Sequence, residues 1–182
     1  QHKKHSRREH LNDFHLNVAG EYVYDGALYA CQNDDAKQRR SKRAVWGMAA
    51  ILTVAVAAGG CIPAPGMQNC FYVLLPYLGE FLGAASVIWA LAKLGMDWGT
   101  VREYNYKKSV AVLPVRTAVT AVFSGLGIVC ELIFFFVNDH AGQTFFALLY
   151  VLLKLTALLS ALVLRAEIMQ AEWDKLPKKD NS

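Results

Sequence analysis

Residues 144–164 read TFFALLYVLLKLTALLSALVL, and Lys154 is the only charged side chain among them. A helix needs about 20 mostly apolar residues to cross the hydrocarbon core of a bilayer, and this stretch is long enough. A helix of a soluble bundle keeps one polar face for water, but here the apolar residues surround the helix. The stretch therefore predicts a membrane-spanning helix.

Three further stretches have the same character. They cover about residues 44–62, 71–96 and 117–137. Glu80 and Lys93 are the only charges in the second of the four stretches, and Glu131 is the only charge in the third. The predicted fold class is therefore an all-α membrane protein, in which four transmembrane helices form a bundle.

The composition agrees with this fold class. Of the 182 residues, 54% are hydrophobic and 19% are charged, and the mean hydropathy is +0.23. A soluble globular protein carries about 25% charged residues and distributes them more evenly. These values exclude a disordered protein, a small disulfide scaffold and most soluble enzymes.

Basic residues are distributed unevenly along the chain. Of the 19 Lys and Arg, nine precede the first span, five lie in or beside the link between the second and third spans, and four follow the fourth. The loops 63–69 and 138–143 contain none. Because cytoplasmic loops carry the excess of Lys and Arg, the pattern predicts an integral plasma (inner) membrane protein with both termini in the cytoplasm.

The N-terminal residues 1–32 are predicted to form a small cytoplasmic module. Residues 14–18 alternate between apolar and polar, and residues 22–24 provide a returning strand, which together predict a β-hairpin. Because a lone hairpin is marginally stable in water, it should dock on the bundle, another chain or the bilayer surface. Residues 33–176 then form the four-span bundle, and residues 177–182 a short tail.

Two of the long helices are predicted to continue beyond the bilayer. Asn33 is the predicted cap of the first helix, which carries the basic run 37–43. Attraction to anionic lipid, about 1 kcal/mol per basic residue, explains this run, so a nucleic-acid partner is not expected. The stretch 165–176 should continue the fourth helix until Pro177, with an apolar face for the cytoplasmic segments or for a partner.

Four cysteines are present, and two of them bracket the first outer loop. Cys61 and Cys70 would both lie at the oxidising face of the membrane, and the short loop between them can close. The sequence therefore predicts a disulfide, with two free thiols as the alternative. No CxxC pair is present, so neither a thioredoxin-type site nor a zinc ribbon is expected.

Motifs for catalysis or cofactor binding are missing from the sequence. No histidine lies in a span, which excludes a haem held between two intramembrane histidines, and HExxH, GxSxG and P-loop patterns are absent. A metal site in the histidine-rich N-terminus would meet many positive neighbours, so no metal is predicted. The histidines concerned are His2, His5, His10 and His15. We expect no cofactor and no enzymatic activity.

The intramembrane charges Glu80, Glu131 and Lys154 are the strongest functional signal. Each costs roughly 2.5 to 3.5 kcal/mol in lipid on insertion scales, so each should face protein or water. At about 1.5 Å per residue from the outer ends of the spans, Glu80 lies about 14 Å deep, Glu131 about 9 Å and Lys154 about 15 Å. The three side chains are close enough in depth to meet.

Small and polar residues accompany these charges at helical spacing. The three faces comprise Glu80, Gly83, Val87 and Ala90; Thr117, Thr120, Ser124, Gly127 and Glu131; and Ala147, Tyr150, Lys154, Ala157 and Ala161. Such faces are typical of helix–helix contacts in membranes. Gly79 and Gly83 also form a GxxxG motif, which is a weak indication of dimerisation.

The simplest arrangement turns the three faces inward and pairs Lys154 with Glu131 or Glu80. Glu131 is the first choice, because a short loop joins its span to that of Lys154, and Glu80 is then a second acid at the same cavity. Lys154 can neutralise only one of the two carboxylates, so one acid remains without a cation. That acid either binds a proton or meets another cation. The first interpretation of the cluster is a buried ion pair that fixes helix register, and the alternatives are a proton- or cation-coupled site and an interface with another subunit.

Two functions remain compatible with these observations. The first is a non-catalytic accessory or interaction subunit of a membrane complex, which contacts the bilayer and other membrane subunits or itself. The second is a small oligomeric transporter or channel that uses Glu80, Glu131 and Lys154 for proton or cation coupling. A membrane enzyme acting on lipid or quinone has no supporting residues.

Overall fold

The computed structural model describes residues 14–16, 22–24, 27–32, 34–95, 98–138 and 143–176, and these residues are mostly helical. The helices are α1 (Asp35–Cys61), α2 (Pro65–Asn69), α3 (Phe71–Leu94), α4 (Glu103–Lys108), α5 (Leu113–Val137) and α6 (Thr144–Met169). The strands are β1 (Phe14–Leu16), β2 (Tyr22–Tyr24), β3 (Leu28–Cys31), β4 (Thr100–Arg102) and β5 (Trp173–Lys175). Helices α1, α3, α5 and α6 are each long and apolar enough to span a membrane, which confirms the four helices expected from the sequence.

The ends of the long helices follow from local chemistry. The predicted cap Asn33 lies outside the described residues, and Asp34 occupies the cap position of α1 without a capping hydrogen bond. Helix α3 ends at Leu94 because Gly95 adopts a φ of +71°, which is strained for any other residue. Helix α5 begins earlier than predicted, since Pro114 fits the first turn of a helix.

The four long helices form a ring. Helix α1 packs against α6, α6 against α5, and α5 against α3. The contact between α1 and α3 closes the ring and is the smallest of the four. Alanines at the helix contacts, such as Ala49, Ala90, Ala157 and Ala161, are almost fully buried. Their small side chains allow the helix backbones to approach closely.

A three-stranded antiparallel sheet lies at one end of the bundle, which we call the sheet end. Strand β3 is central, with β4 on one side and β5 on the other. Tyr29 is opposite both Val101 of β4 and Lys175 of β5. The sheet therefore connects the segment before α1, the link between α3 and α4, and the segment after α6.

The prediction that 165–176 continues the fourth helix is confirmed for 165–169 and was wrong for the rest of the stretch. Helix α6 ends at Met169, and Trp173–Lys175 is strand β5. Pairing with β3 supplies the backbone hydrogen bonds that further helix would have made. The Trp173 ring also packs near Trp98 and Tyr106, with centroid distances of 6.2 and 6.0 Å, so the apolar side chain is covered within the chain.

The predicted N-terminal hairpin is present. Strands β1 and β2 pair antiparallel, with Phe14 opposite Tyr24 and Leu16 opposite Tyr22. The predicted turn lies in 17–21, outside the described residues. Docking of this hairpin stays a prediction.

The predicted disulfide between Cys61 and Cys70 is absent, and both thiols are free. The intervening residues form helix α2, which the sequence analysis did not foresee, and the Cys70 backbone N–H donates to Gly66 O at its end. Cys61 is exposed, whereas Cys70 packs against the core cluster that contains Phe134 and Tyr150. Helix α2 thus turns the two thiols toward different surroundings.

Candidate functional site

The three predicted charges all lie inside the ring of helices. The exposed fraction is 0% for Glu80, 0% for Glu131 and 2% for Lys154. Helices α3, α5 and α6 each contribute one of these residues, on the small-residue faces expected from the sequence. Burial of this kind requires partners, because an unpaired charge in an apolar interior is very costly.

Lys154 is paired with Glu80, not with Glu131 as predicted. The Lys154 ammonium donates a hydrogen bond to Glu80 Oε2 and forms a buried salt bridge with it. The short loop between the third and fourth spans suggested Glu131, but a residue's depth along its helix decides which side chains meet. Glu80 and Lys154 have nearly equal predicted depths, and Glu131 lies closer to the outer end.

Neighbouring side chains complete the surroundings of this ion pair. Ser124 Oγ donates to the second oxygen of Glu80, Oε1, over 2.7 Å. The Lys154 ammonium lies 4.5 Å from the ring centroid of Tyr77 and 5.0 Å from that of Tyr150, close enough for cation–π attraction. Both carboxylate oxygens of Glu80 therefore accept a hydrogen bond, and the cation contacts two aromatic faces.

Glycines make room for these contacts. A Cβ at Gly127 would lie 3.6 Å from Lys154 Cε, which shows that the lysine stem runs directly over this glycine of α5. A Cβ at Gly83 would lie 2.6 Å from Thr120 Oγ1, and one at Gly79 would lie 2.6 Å from the Phe123 ring. The GxxxG motif thus serves the contact between α3 and α5 within one chain.

Glu131 occupies a separate position near α2, at the end of the bundle opposite the sheet. The Gly66 backbone N–H donates to Glu131 Oε1 over 3.4 Å, which is a long hydrogen bond. Among the described residues, Glu131 Oε2 has no hydrogen-bond partner, and neither has the buried hydroxyl of Tyr150. No described cation forms a salt bridge with Glu131, since Lys154 is bound to Glu80.

Gly66 contacts Glu131, and the sequence does not indicate this contact. A Cβ at this position would overlap the Glu131 carboxyl group and would lie 3.1 Å from Val73 Cγ2. The glycine follows Pro65 in a loop between two predicted spans, and nothing in that local pattern indicates contact with a residue of the third span. Only the placement of α2 over α5 shows that position 66 must lack a side chain.

Two apolar grooves run along the outside of the ring. The groove between α5 and α6 has a volume of about 140 Å³ and is lined by Glu131, Leu132, Phe135, Phe136, Thr144, Ala147, Leu148 and Val151. The groove between α1 and α3 has a volume of about 350 Å³ and is lined by Thr53, Val56, Ala57, Phe81, Ala84, Ala85, Ile88, Trp89 and Ala92. The first groove thus includes the unpaired acid in its wall, and the second lies where the ring of helices is least closed.

In the described ranges, no group of three or more His, Cys, Asp and Glu could hold a metal ion. The candidates His2, His5 and His10 fall outside those ranges, and for His15 the structure gives the backbone strand only. A metal site at the N-terminus therefore stays untested.

The basic run 37–43 lies on the first turns of α1 at the sheet end. Arg39, Arg40 and Arg43 are exposed, while Ser41 faces inward and lies 3.0 Å from a Glu167 carboxylate oxygen of α6, to which its hydroxyl donates. The basic side chains therefore point away from the bundle and are free to meet an anionic surface.

Among the described residues, four long helices are apolar enough to cross a membrane, and the ring that they form encloses one ion pair, Glu80 with Lys154, and one acid without a salt bridge, Glu131. Comparison with protein-family models, with curated proteins and with solved structures gives no match for this chain.

Proposed function

We propose that the protein is a non-catalytic subunit of a membrane complex, embedded by its four long helices and bound to a transmembrane helix of another subunit. Large apolar side chains on the outer surface support membrane insertion: Leu82 is 67% exposed, Leu148 69% and Phe136 81%. A soluble protein rarely exposes so much contiguous apolar surface, whereas lipid covers it at no cost.

The distribution of charge supports insertion into an inner membrane with the sheet end on the cytoplasmic side. The basic run 37–43, Arg102, Arg165 and Lys175 all belong to segments at or beside the sheet end. The loop that contains α2 has no Lys or Arg. Cytoplasmic loops carry the excess of basic residues, and anionic lipid would attract the exposed arginines of α1.

The groove between α1 and α3 is the observation that carries the proposed partner contact. Three of the four neighbouring helix contacts are extensive, and this fourth one is open. Alanines 57, 84, 85 and 92 line the groove, and Trp89 beside them is 63% exposed. Small residues next to a large aromatic side chain suit close approach of another helix.

The chemistry of this groove selects an apolar occupant. Thr53 is its one hydroxyl-bearing residue, and Thr53 Oγ1 already donates to Ala49 O over 2.8 Å. Apart from the indole N–H of Trp89, the side chains that line the groove offer no unoccupied polar group to a soluble ligand. A partner's transmembrane helix with small or apolar residues fits it best.

A photo-crosslinking amino acid at position 85 tests this proposal in intact cells. The matched control places the same amino acid at Val122, which is also exposed and lies equally far from the sheet end of its own helix, α5. We expect a discrete cross-linked product with a second protein for position 85 and lipid adducts alone for position 122.

Two results would contradict this proposal. Equal, diffuse labelling at both positions would mean that lipid fills the groove. A product of twice the chain mass would mean that a second copy fills it, and that no separate subunit binds there.

The alternative, a small oligomeric transporter coupled to protons or cations, is favoured by one observation only. Glu80 and Lys154 satisfy each other and are aided by Ser124, so these two side chains support a structural role. Glu131 keeps an unpaired oxygen and is the one member of the predicted cluster left for ion binding.

A further inference from the structure

Glu131 is a fully buried carboxyl group that lacks a cation partner in the described part of the chain. Its exposed fraction is 0%, and one of its oxygens, Oε2, has no hydrogen-bond partner there. The other oxygen accepts only the 3.4 Å hydrogen bond from Gly66. Burying an ionised carboxylate in such a position costs free energy. Either a proton that neutralises the group or a bound cation would remove this cost.

The surroundings of Glu131 favour the proton. The Tyr72 ring lies 6.5 Å from the ring of Phe134 on α5, and Phe134, Tyr150, Cys70 and Cys130 belong to one core cluster, so uncharged side chains dominate this end of α5. A small metal cation needs several oxygen ligands, and no cluster of acids and histidines surrounds Glu131 in the described residues. A proton needs one acceptor oxygen, which Oε2 supplies.

The hydroxyl of Tyr150 is a second buried polar group in this region, on a side chain that belongs to the same core cluster as Phe134 of α5. It is fully buried and has no hydrogen-bond partner among the residues that the structure describes. A protonated carboxyl group is a donor as well as an acceptor, and a phenol can accept that donor or donate to the carbonyl oxygen. Protonation of Glu131 removes a buried charge that no described cation compensates, since the nearby Tyr150 hydroxyl is uncharged.

We propose that Glu131 is the binding site of an exchangeable proton, reached from the lipid-facing groove between α5 and α6. Glu131 forms part of the wall of that groove, together with the exposed side chains of Phe136 and Leu148. Rotation of the Glu131 side chain toward the groove connects the site to the outer surface of the bundle. The site is separate from the ion pair of Glu80 and Lys154, and it does not depend on the partner proposed for the groove between α1 and α3.

Infrared difference spectroscopy of the full chain in lipid vesicles tests the bound proton directly. We expect the C=O stretching band of a protonated carboxylic acid at neutral pH, shifted by exchange into D₂O. The band should be lost in Glu131→Gln and retained in Glu80→Gln, which is the matched control because Glu80 is ionised in its pair. A neutral-pH spectrum without a band that depends on Glu131 would overturn the proposal.

Labelling with dicyclohexylcarbodiimide, an apolar reagent that partitions into lipid, tests access from the groove in the unmodified chain. The acid proton moves to a carbodiimide nitrogen, the carboxyl oxygen adds to the central carbon, and the product rearranges to a stable N-acylurea without a leaving group. Only a protonated carboxyl group that the reagent can reach reacts in this way.

We expect peptide mass spectrometry to find one adduct, on Glu131, and none on Glu80. Labelling should fall as the pH is raised, because deprotonation removes the reacting species. An adduct on Glu80, or an unmodified Glu131 after prolonged exposure, would overturn the proposed access from the groove. Because the unmodified chain is used, this result does not depend on the folding of any variant.

Discussion

Glu80 and Glu131 are both fully buried acids on small-residue faces of neighbouring helices, yet their surroundings differ completely. Glu80 receives Lys154 on one oxygen and Ser124 on the other. Glu131 receives a single long hydrogen bond from Gly66, and its second oxygen is unpaired among the described residues. Burial is the same for the two acids, so the neighbouring donors decide whether a buried acid is fully paired or keeps an unpaired oxygen.

The reach of the lysine side chain explains this difference. Lys154 extends from α6 across Gly127 of α5 to meet Glu80 on α3, where the absence of a side chain on the glycine leaves room for the stem. Glu131 lies at least one helical turn farther from the sheet end than the ion pair, next to α2. Gly66 of α2 is so close to the Glu131 carboxyl group that even a Cβ at position 66 would overlap it.

Breaking the ion pair should have the largest effect. Lys154→Met leaves Glu80 as an uncompensated buried charge, and we expect the free energy of unfolding to fall by about 3 to 5 kcal/mol. Adding Glu80→Gln should restore most of this loss, because the second substitution removes the stranded charge. Thermal unfolding of the four variants of this cycle in detergent measures the coupling.

The matched control combines Lys154→Met with Glu131→Gln. These two changes should be additive within about 0.5 kcal/mol, since no contact joins the two side chains. Coupling of Lys154 to Glu131 that equals or exceeds its coupling to Glu80 would contradict the arrangement described here.

The four long helices could be predicted from the sequence because their signal is local. Twenty consecutive apolar residues define a span whatever the rest of the chain does, and the predicted bounds differ from the observed ones by only a few residues at most ends. The burial of Glu80, Glu131 and Lys154 could be predicted for the same reason: a charge inside an apolar stretch must face inward.

The partner of Lys154 and the sheet could not be predicted in this way. Predicted depth favoured Glu80 and chain proximity favoured Glu131, and a single sequence does not say which argument applies. Strands β4 and β5 are three residues long, too short for a periodic pattern, and they form because β3 is held next to them. Helix α2, which separates Cys61 from Cys70, has only five residues, which is also too short for a periodic pattern.

Removing the second donor to Glu80 should have an intermediate effect. Ser124→Ala takes away the hydroxyl that donates to Glu80 Oε1, and hydrogen bonds to charged groups contribute about 1.5 to 3 kcal/mol. The control is Ser160→Ala on α6, because Ser160 is also buried but donates only to Thr156 O of its own helix. A loss for Ser124→Ala no larger than that for Ser160→Ala would show that Lys154 alone supports Glu80.

The smallest effect is expected for Glu131→Gln, which therefore gives the sharpest contrast between the two acids. If Glu131 carries a proton, the amide of glutamine replaces a neutral group of the same shape and retains an oxygen for the Gly66 N–H. We expect the free energy of unfolding to change by less than about 1 kcal/mol, as for an isosteric exchange.

The same substitution at Glu80 strands Lys154 and should cost several times more, because a buried charge then loses its partner. Parallel thermal unfolding of Glu131→Gln and Glu80→Gln in one detergent measures the contrast without further assumptions. Equal destabilisation by the two substitutions would mean that Glu131 is ionised and stabilised by a cation. In that case Glu131 would bind a cation and not a proton. Glu80 and Glu131 would then both be ionised acids that a cation stabilises, and the contrast between them would no longer hold.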